Sequence, residues 1–137
     1  MKITFLGAAK LVTGSNYLIE TKNSKFLMDC GLFQGSKSIS RMNYQPFAFN
    51  PEEIDFMVLS HAHMDHSGRI PKLIKEGFRG SIYCTKATAD LCSIMLPDSG
   101  HIQEMETKWD NRKRKRAGGK LRKPLYTVKE AEESLNY

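Results

Sequence analysis

Residues 60 to 68 read SHAHMDHSG and follow directly on the apolar run IDFMVLS, so His61, His63, Asp65 and His66 crowd the end of one candidate strand. No other feature restricts the fold as much. Side chains alternate along extended backbone, so His61 and His63 point the same way if the strand runs on through them. A turn after Met64 brings Asp65 and His66 to the same cavity from a different angle. Three imidazoles and a carboxylate suit zinc or a similar divalent ion, at roughly 2.0–2.2 Å per bond. Four donors this close in sequence are awkward around one tetrahedral ion. They suit two ions about 3.5–4 Å apart, each taking a pair and drawing further ligands from elsewhere. A single His-x-His pair is compatible with an ordinary surface loop. The full set, closing an apolar strand and followed by Ser67-Gly68, reads as a metal site.

The rest of the chain supplies elements to carry such a strand. KITFLG, NYLIET and KFLMD (Lys25–Asp29) are rich in β-branched and aromatic residues, with turn signals at Gly14-Ser15 and Asn23-Ser24, and predict an antiparallel meander. The segment GLFQGSKSISRMNYQPFAFNPEE is too long for a plain connection and calls for a function or a partner surface. GRIPKLIKEGF predicts a short helix with Pro71 in its first turn, and SIYCT another strand. A helix from Thr85 places Leu91, Ile94 and Met95 at helical spacing. Pro97 and Gly100 predict a break in it before HIQEMETKWDNRKRKR resumes. Thr127 and Glu130 make a capping box for a last helix. Strands alternating with helices, meander first, predict an α/β layered fold: one mostly antiparallel sheet with helices on its outer face.

At 137 residues the chain has the length of one domain. Its three cysteines, Cys30, Cys84 and Cys92, are odd in number and lack CxxC spacing, which argues against a disulfide framework and for reduced thiols in the cytoplasm. Cys84 and Cys92 read as small buried apolar residues, while Cys30 lies close enough to Asp29 to approach a metal. No run approaches the length of a membrane span. The net charge of +6 is local: NRKRKRAGGKLRK, residues 111–123, carries Arg112, Lys113, Arg114, Lys115, Arg116, Lys120, Arg122 and Lys123 and no acid. Without those eight, 13 basic residues face 15 acidic ones. This basic loop is a candidate contact for a polyanion, although a solvated charge run is the commonest reading. Trp109 and Tyr126 flank it and could stack on bases.

SHAHMDHSG resembles the HxHxDH signature of the metallo-β-lactamase superfamily. FLGAAKLVTGSNYLIE, FLMDCGLFQG, HSGRIPKLIKEGFRGSIYCTKATADL and LPDSGHIQEME, in that order, resemble its β-CASP branch of RNA- and DNA-processing nucleases. The resemblance implies the N-terminal part of an αββα sandwich spanning residues 1–137, with the β-CASP insertion and the C-terminal part absent. It implies that His61 and His63 bind one zinc and Asp65 and His66 the other, with Asp29 orienting the site. Asp65 is also a candidate acceptor for a proton of the attacking water. His101 falls on a helix of the family, as a structural or channel-lining residue and not a ligand. The implied reaction is hydrolysis of single-stranded RNA by a hydroxide activated between the two metals.

The family completes its site with further histidines and an aspartate that this sequence does not contain. Each ion would keep two protein ligands, fewer than the three usual at catalytic zinc, so the expectation is a weakly metal-binding, inactive segment. Its uncovered sheet face would favour self-association. Two other readings stay open: a hydrolase of a small ester or thioester, and a non-catalytic RNA-binding subunit.

Overall fold

The computed structural model describes all 137 residues. Five short strands, β1 (Lys2–Phe5), β2 (Tyr17–Glu20), β3 (Lys25–Met28), β4 (Phe56–Val58) and β5 (Ser81–Tyr83), form one sheet in sequence order. The first three make the expected meander, with Tyr17 paired to Phe5 on one side and Met28 on the other. The sheet as a whole is mixed, not mostly antiparallel, because β3–β4 and β4–β5 are parallel. Parallel neighbours need a crossover, and two intervening segments supply them. Residues 29–55 carry α1 (Lys37–Arg41) and two short 3-10 turns; residues 59–80 carry α2 (Met64–Ser67) and α3 (Ile70–Lys75).

Register decides which face is covered. Thr4, Leu18, Leu27, Met57 and Ile82 form one cross-strand row. Beneath it lie Leu73, Phe78, Cys92, Leu96, Tyr126 and Ala131 from the helical layer, and Leu27 and Met57 are wholly buried. One residue on, the period of two turns Phe5, Tyr17, Met28, Val58 and Tyr83 to the opposite face. That face is open. Phe5 is 66% exposed and Tyr83 60%, and Phe26 and Phe56 stack on it at 4.6 Å.

The break expected at Pro97 is not there: α4 runs unbroken from Lys86 to Arg116. Proline removes a single donor, and packing on both sides outweighs that loss. Leu96 is buried before it and Gly100 after it. At Gly100 the start of α5 (Val128–Ser134) crosses so closely that a Cβ would meet backbone of Thr127 and Val128 at 3.0 Å. The buried stripe of α4 is Thr88, Cys92, Leu96 and Gly100, every fourth residue. Leu91 and Ile94, which recur at helical spacing, lie off that stripe and are 52% and 70% exposed. The capping box at Thr127 forms in both directions, its hydroxyl accepting from Glu130 N and its amide donating to the Glu130 carboxylate. Tyr126 is fully buried with its hydroxyl 2.9 Å from Ser99 Oγ, so it is no stacking platform.

Two buried cations of the α3 region fasten the long segment after β3. Arg69 donates from Nε to Gly31 O at 2.5 Å, with its guanidinium over the Phe33 ring at 4.6 Å. Lys72 donates to Gln45 O at 2.6 Å, with its ammonium 4.0 Å from the Phe47 ring centre. Cys92 is buried as expected. Cys84 is exposed, because β5 ends one residue before it. No helix is long and apolar enough to cross a membrane.

Candidate metal centre

β3 and β4 are parallel neighbours, so their C-terminal ends lie side by side, and the chemistry-bearing residues leave from those ends. Asp29 comes directly after β3. It is 3% exposed and holds a φ of +59°, a left-handed conformation that aspartate tolerates better than most residues. Asn16 Nδ2 fixes that turn by donating to Asp29 O at 2.7 Å. The carboxylate is then fully engaged. Oδ1 accepts from Ser60 N at 2.8 Å, while Oδ2 accepts from the Ser15 and Ser60 hydroxyls at 3.0 Å each. Oδ2 also lies 2.7 Å from His66 Nδ1.

That last contact sets the histidine. A carboxylate can only accept, so Nδ1 carries the proton and a neutral His66 has its lone pair on Nε2. Nε2 in turn lies 3.5 Å from Asp65 Oδ2. Two ligand atoms on a tetrahedron with bonds of about 2.1 Å stand roughly 3.4 Å apart. The second pair is similar: His61 Nε2 lies 3.1 Å from His63 Nδ1, and Ser60 Oγ lies 2.9 Å from His61 Nδ1. The rings of His61 and His66 are 4.0 Å apart between centres, so the two pairs adjoin.

Short α2 carries Asp65 and His66 and cannot satisfy its own carbonyls. Neighbouring loops do so. Met64 O accepts from Leu32 N at 2.8 Å, Asp65 O from Ser15 N at 2.8 Å, and His66 O from Cys30 N at 2.7 Å. The loops after β1 and β3 thus hold the turn that carries Asp65 and His66 by its backbone.

The structure therefore brings Asp29, His61, His63, Asp65 and His66 together, as two donor pairs with one orienting carboxylate. No three His, Cys, Asp or Glu side chains group as a set for one ion. The residues fit divalent metal as two partial sites, each with ligand spacing suited to the ion. Cys30 does not add to them: it is wholly buried, and burial pushes its thiol up to about 11, away from the thiolate that binds metal. Sequence reasoning missed Ser15, Asn16 and Ser60, which hold Asp29. Polar residues beside a motif carry no signal of whom they bond.

His101 lies exposed on α4, outside the centre. The basic segment is not one loop. Arg112, Lys113, Arg114, Lys115 and Arg116 end α4, whereas Lys120, Arg122 and Lys123 lie in the irregular stretch beyond it. Trp109, 64% exposed, stands one turn before, with the Lys113 ammonium 5.6 Å from its ring centre.

The model of the metallo-beta-lactamase superfamily matches residues 9–129. A ribonuclease of Thermus thermophilus is 48% identical over 104 residues, covering 76% of this chain and 24% of the relative. Transcription termination factor FttA of Methanosarcina mazei is 37% identical over 109 residues, covering 79% and 17%. Cleavage and polyadenylation specificity factor 73 of Drosophila melanogaster is 33% identical over 108 residues, covering 78% and 16%. The chain spans about a quarter or less of the length of these relatives.

Proposed function

The chain belongs to the metallo-beta-lactamase superfamily, and on that premise we propose that the whole protein is a β-CASP nuclease that hydrolyses single-stranded RNA in the cytoplasm. The observation that carries the reading is the run Asp29–His66–Asp65, in which a buried carboxylate orients an imidazole whose free nitrogen faces a second carboxylate. Backing a ligand in this way is typical of metal-binding histidines, and it serves no evident packing purpose.

In this proposal His61 and His63 hold one ion, and Asp65 and His66 the other. Two divalent ions, zinc on this donor set, would supply Lewis acidity at the phosphoryl oxygens and draw the pKa of a water towards neutrality. The protein's own part is positional. Asp29 and Ser60 fix the rings, and Asp65 takes a proton from the water that attacks in line with the leaving oxygen. With two ligands per ion, the 137-residue chain alone is expected to bind zinc weakly and to leave RNA intact.

Incubating the whole protein with end-labelled single-stranded RNA and zinc tests this. Cleavage is expected, falling to background with a chelator or with His63→Ala. RNA left intact while a small thioester or ester is hydrolysed would make it a different hydrolase. RNA bound but never cut would make it a binding subunit, a reading that the basic run at residues 111–123 would support.

We further propose that the open sheet face makes the isolated chain self-associate, since Phe26, Phe56 and Tyr83 form a contiguous apolar surface there, with Phe5 exposed on the same face. Size-exclusion elution is expected to shift to larger species with concentration, and Phe56→Glu to reduce the shift. A concentration-independent monomer would contradict it.

A further inference from the structure

A cleft of about 380 Å³ lies between α1 and the C-terminal end of α4, lined by Lys37, Arg41, Tyr44, Arg114 and Arg122, with Asp110 as its one acid. Asp110 is already paired, its Oδ2 2.7 Å from Arg114 Nε. No carboxylate lies within ion-pair distance of Lys37, Arg41 or Arg122. Three cations, two on α1 and one in the irregular stretch after α4, therefore face one concavity whose single acid is already ion-paired to Arg114.

The simplest account of the cations is that they stabilise helix ends. A macrodipole favours positive charge in a last turn, which explains Arg41 on α1 and Lys113 to Arg116 on α4. It does not explain Lys37, which opens α1 at the end where a cation is disfavoured, or Arg122, which lies outside any helix.

Both walls are also held in place. Asn111 grips the backbone of Arg122 twice: Nδ2 donates to Arg122 O and Oδ1 accepts from Arg122 N, each at 2.8 Å. Asn43 grips Phe33 in the same way, at 2.8 Å for both bonds, just ahead of Gly35 and α1. A charge run that served only solubility would need no such clamp. Preorganised cations around an aromatic ring suit a chain of phosphates interleaved with flat bases.

We propose that this cleft binds the phosphodiester backbone of single-stranded RNA, with Lys37, Arg41 and Arg122 on phosphates and Tyr44 stacking on a base. Tyr44 is 57% exposed, which leaves its ring available. The inference rests on the RNA reading above and gives it a path. Gly35 at the cleft lies six positions after Asp29 in the metal centre, so the two are at most about 22 Å apart. A few nucleotides are long enough to span that separation.

The test is fluorescence anisotropy of a labelled single-stranded RNA with the whole protein in EDTA, which keeps binding apart from cleavage. The double variant Lys37→Ala/Arg41→Ala is expected to weaken binding and to flatten the slope of log affinity against log salt by about 1.4, or 0.7 per phosphate contact. Tyr44→Ala should weaken it about tenfold with the slope unchanged. Asn111→Ala removes no charge, yet should also weaken binding by freeing Arg122. A Lys22→Ala/Lys129→Ala double variant, with the same charge change elsewhere, should bind as wild type.

Equal losses in the two charge-matched doubles, or Asn111→Ala binding as wild type, would overturn the proposal in favour of diffuse attraction. Displacement of the RNA by polyglutamate of equal charge would overturn it in favour of an acidic protein partner. The two readings fail separately. Cleft variants that bind RNA normally sink the cleft alone, whereas binding without any cleavage by the whole protein sinks the hydrolase and leaves the cleft standing.

Discussion

Asp29→Asn is expected to leave the fold in place and to weaken zinc binding by the whole protein by about 10- to 100-fold, the usual effect of removing an outer partner of a ligand. Asparagine is nearly isosteric and tolerates the +59° φ at this position. Its carbonyl can keep the bond from Ser60 N, and one of the Ser15 and Ser60 hydroxyls can rotate to accept one of the two hydrogens of the new amide. His66 cannot adapt without cost. An NH₂ at the Oδ2 position points a donor at His66 Nδ1, which must then offer a lone pair. The proton moves to Nε2, the nitrogen that faces Asp65 and has to meet the metal. Isothermal titration with zinc measures the loss, and histidine ¹⁵N shifts of the metal-free protein report the exchanged tautomer. Zinc affinity equal to wild type would show that Asp29 does not set the histidine.

Asp29→Ala separates that role from support of the fold. It leaves the Ser60 amide and two hydroxyls without their buried acceptor and puts alanine at a positive φ. A loss of about 3 kcal/mol in urea unfolding is expected, since each unpaired buried group costs roughly 1–3 kcal/mol.

What could be read in advance follows from the range of each interaction. The HxHxDH spacing is local, so the proximity of His61, His63, Asp65 and His66 was visible as soon as the strand before them was. The β1–β3 meander and the Thr127 capping box depend on neighbours in sequence and came out as expected. Parallel pairing of β3 with β4 did not, because it joins residues thirty apart through a crossover whose direction no local pattern states. The burial of Arg69 and Lys72 was equally hidden. Charged residues are expected at the surface, and only the fold shows Phe33, Phe47 and two backbone carbonyls waiting for them. Pro97 misled for the opposite reason. Its local cost is real, but Leu96 and Gly100 on either side are anchored by tertiary packing that the sequence does not display. The same holds for Leu91 and Ile94, whose spacing is helical while the covered face of α4 is set by where α5 lies.

Gly31→Ala should have the largest effect on the fold of any single-methyl change near the metal centre. The reason is space, not backbone freedom. A Cβ at Gly31 would stand 1.6 Å from Asp65 O, 2.1 Å from Asp65 C and 2.7 Å from His66 N. All three are backbone atoms of the turn that carries Asp65 and His66, so no side chain can swing aside. To reach even a tight 3.0 Å, α2 and the loop after β3 must separate by at least 1.4 Å. That movement breaks the bonds from Cys30 N to His66 O and from Ser15 N to Asp65 O. Overpacking at about 1–3 kcal/mol and two lost hydrogen bonds at about 1 kcal/mol each give an expected destabilisation of roughly 3–5 kcal/mol. Zinc binding should fall with it, because Asp65 and His66 ride on the displaced turn while Asp29 stays at the end of β3. Gly119→Ala is the matched control: its nearest atom would be Arg114 O at an ordinary 3.6 Å, and its stability should stay within about 0.5 kcal/mol of wild type. Urea denaturation and a zinc titration of each variant make the comparison. A Gly31→Ala protein that unfolds with Gly119→Ala and keeps its zinc would mean that the two loops are not locked together, and that the metal centre tolerates slack at its base.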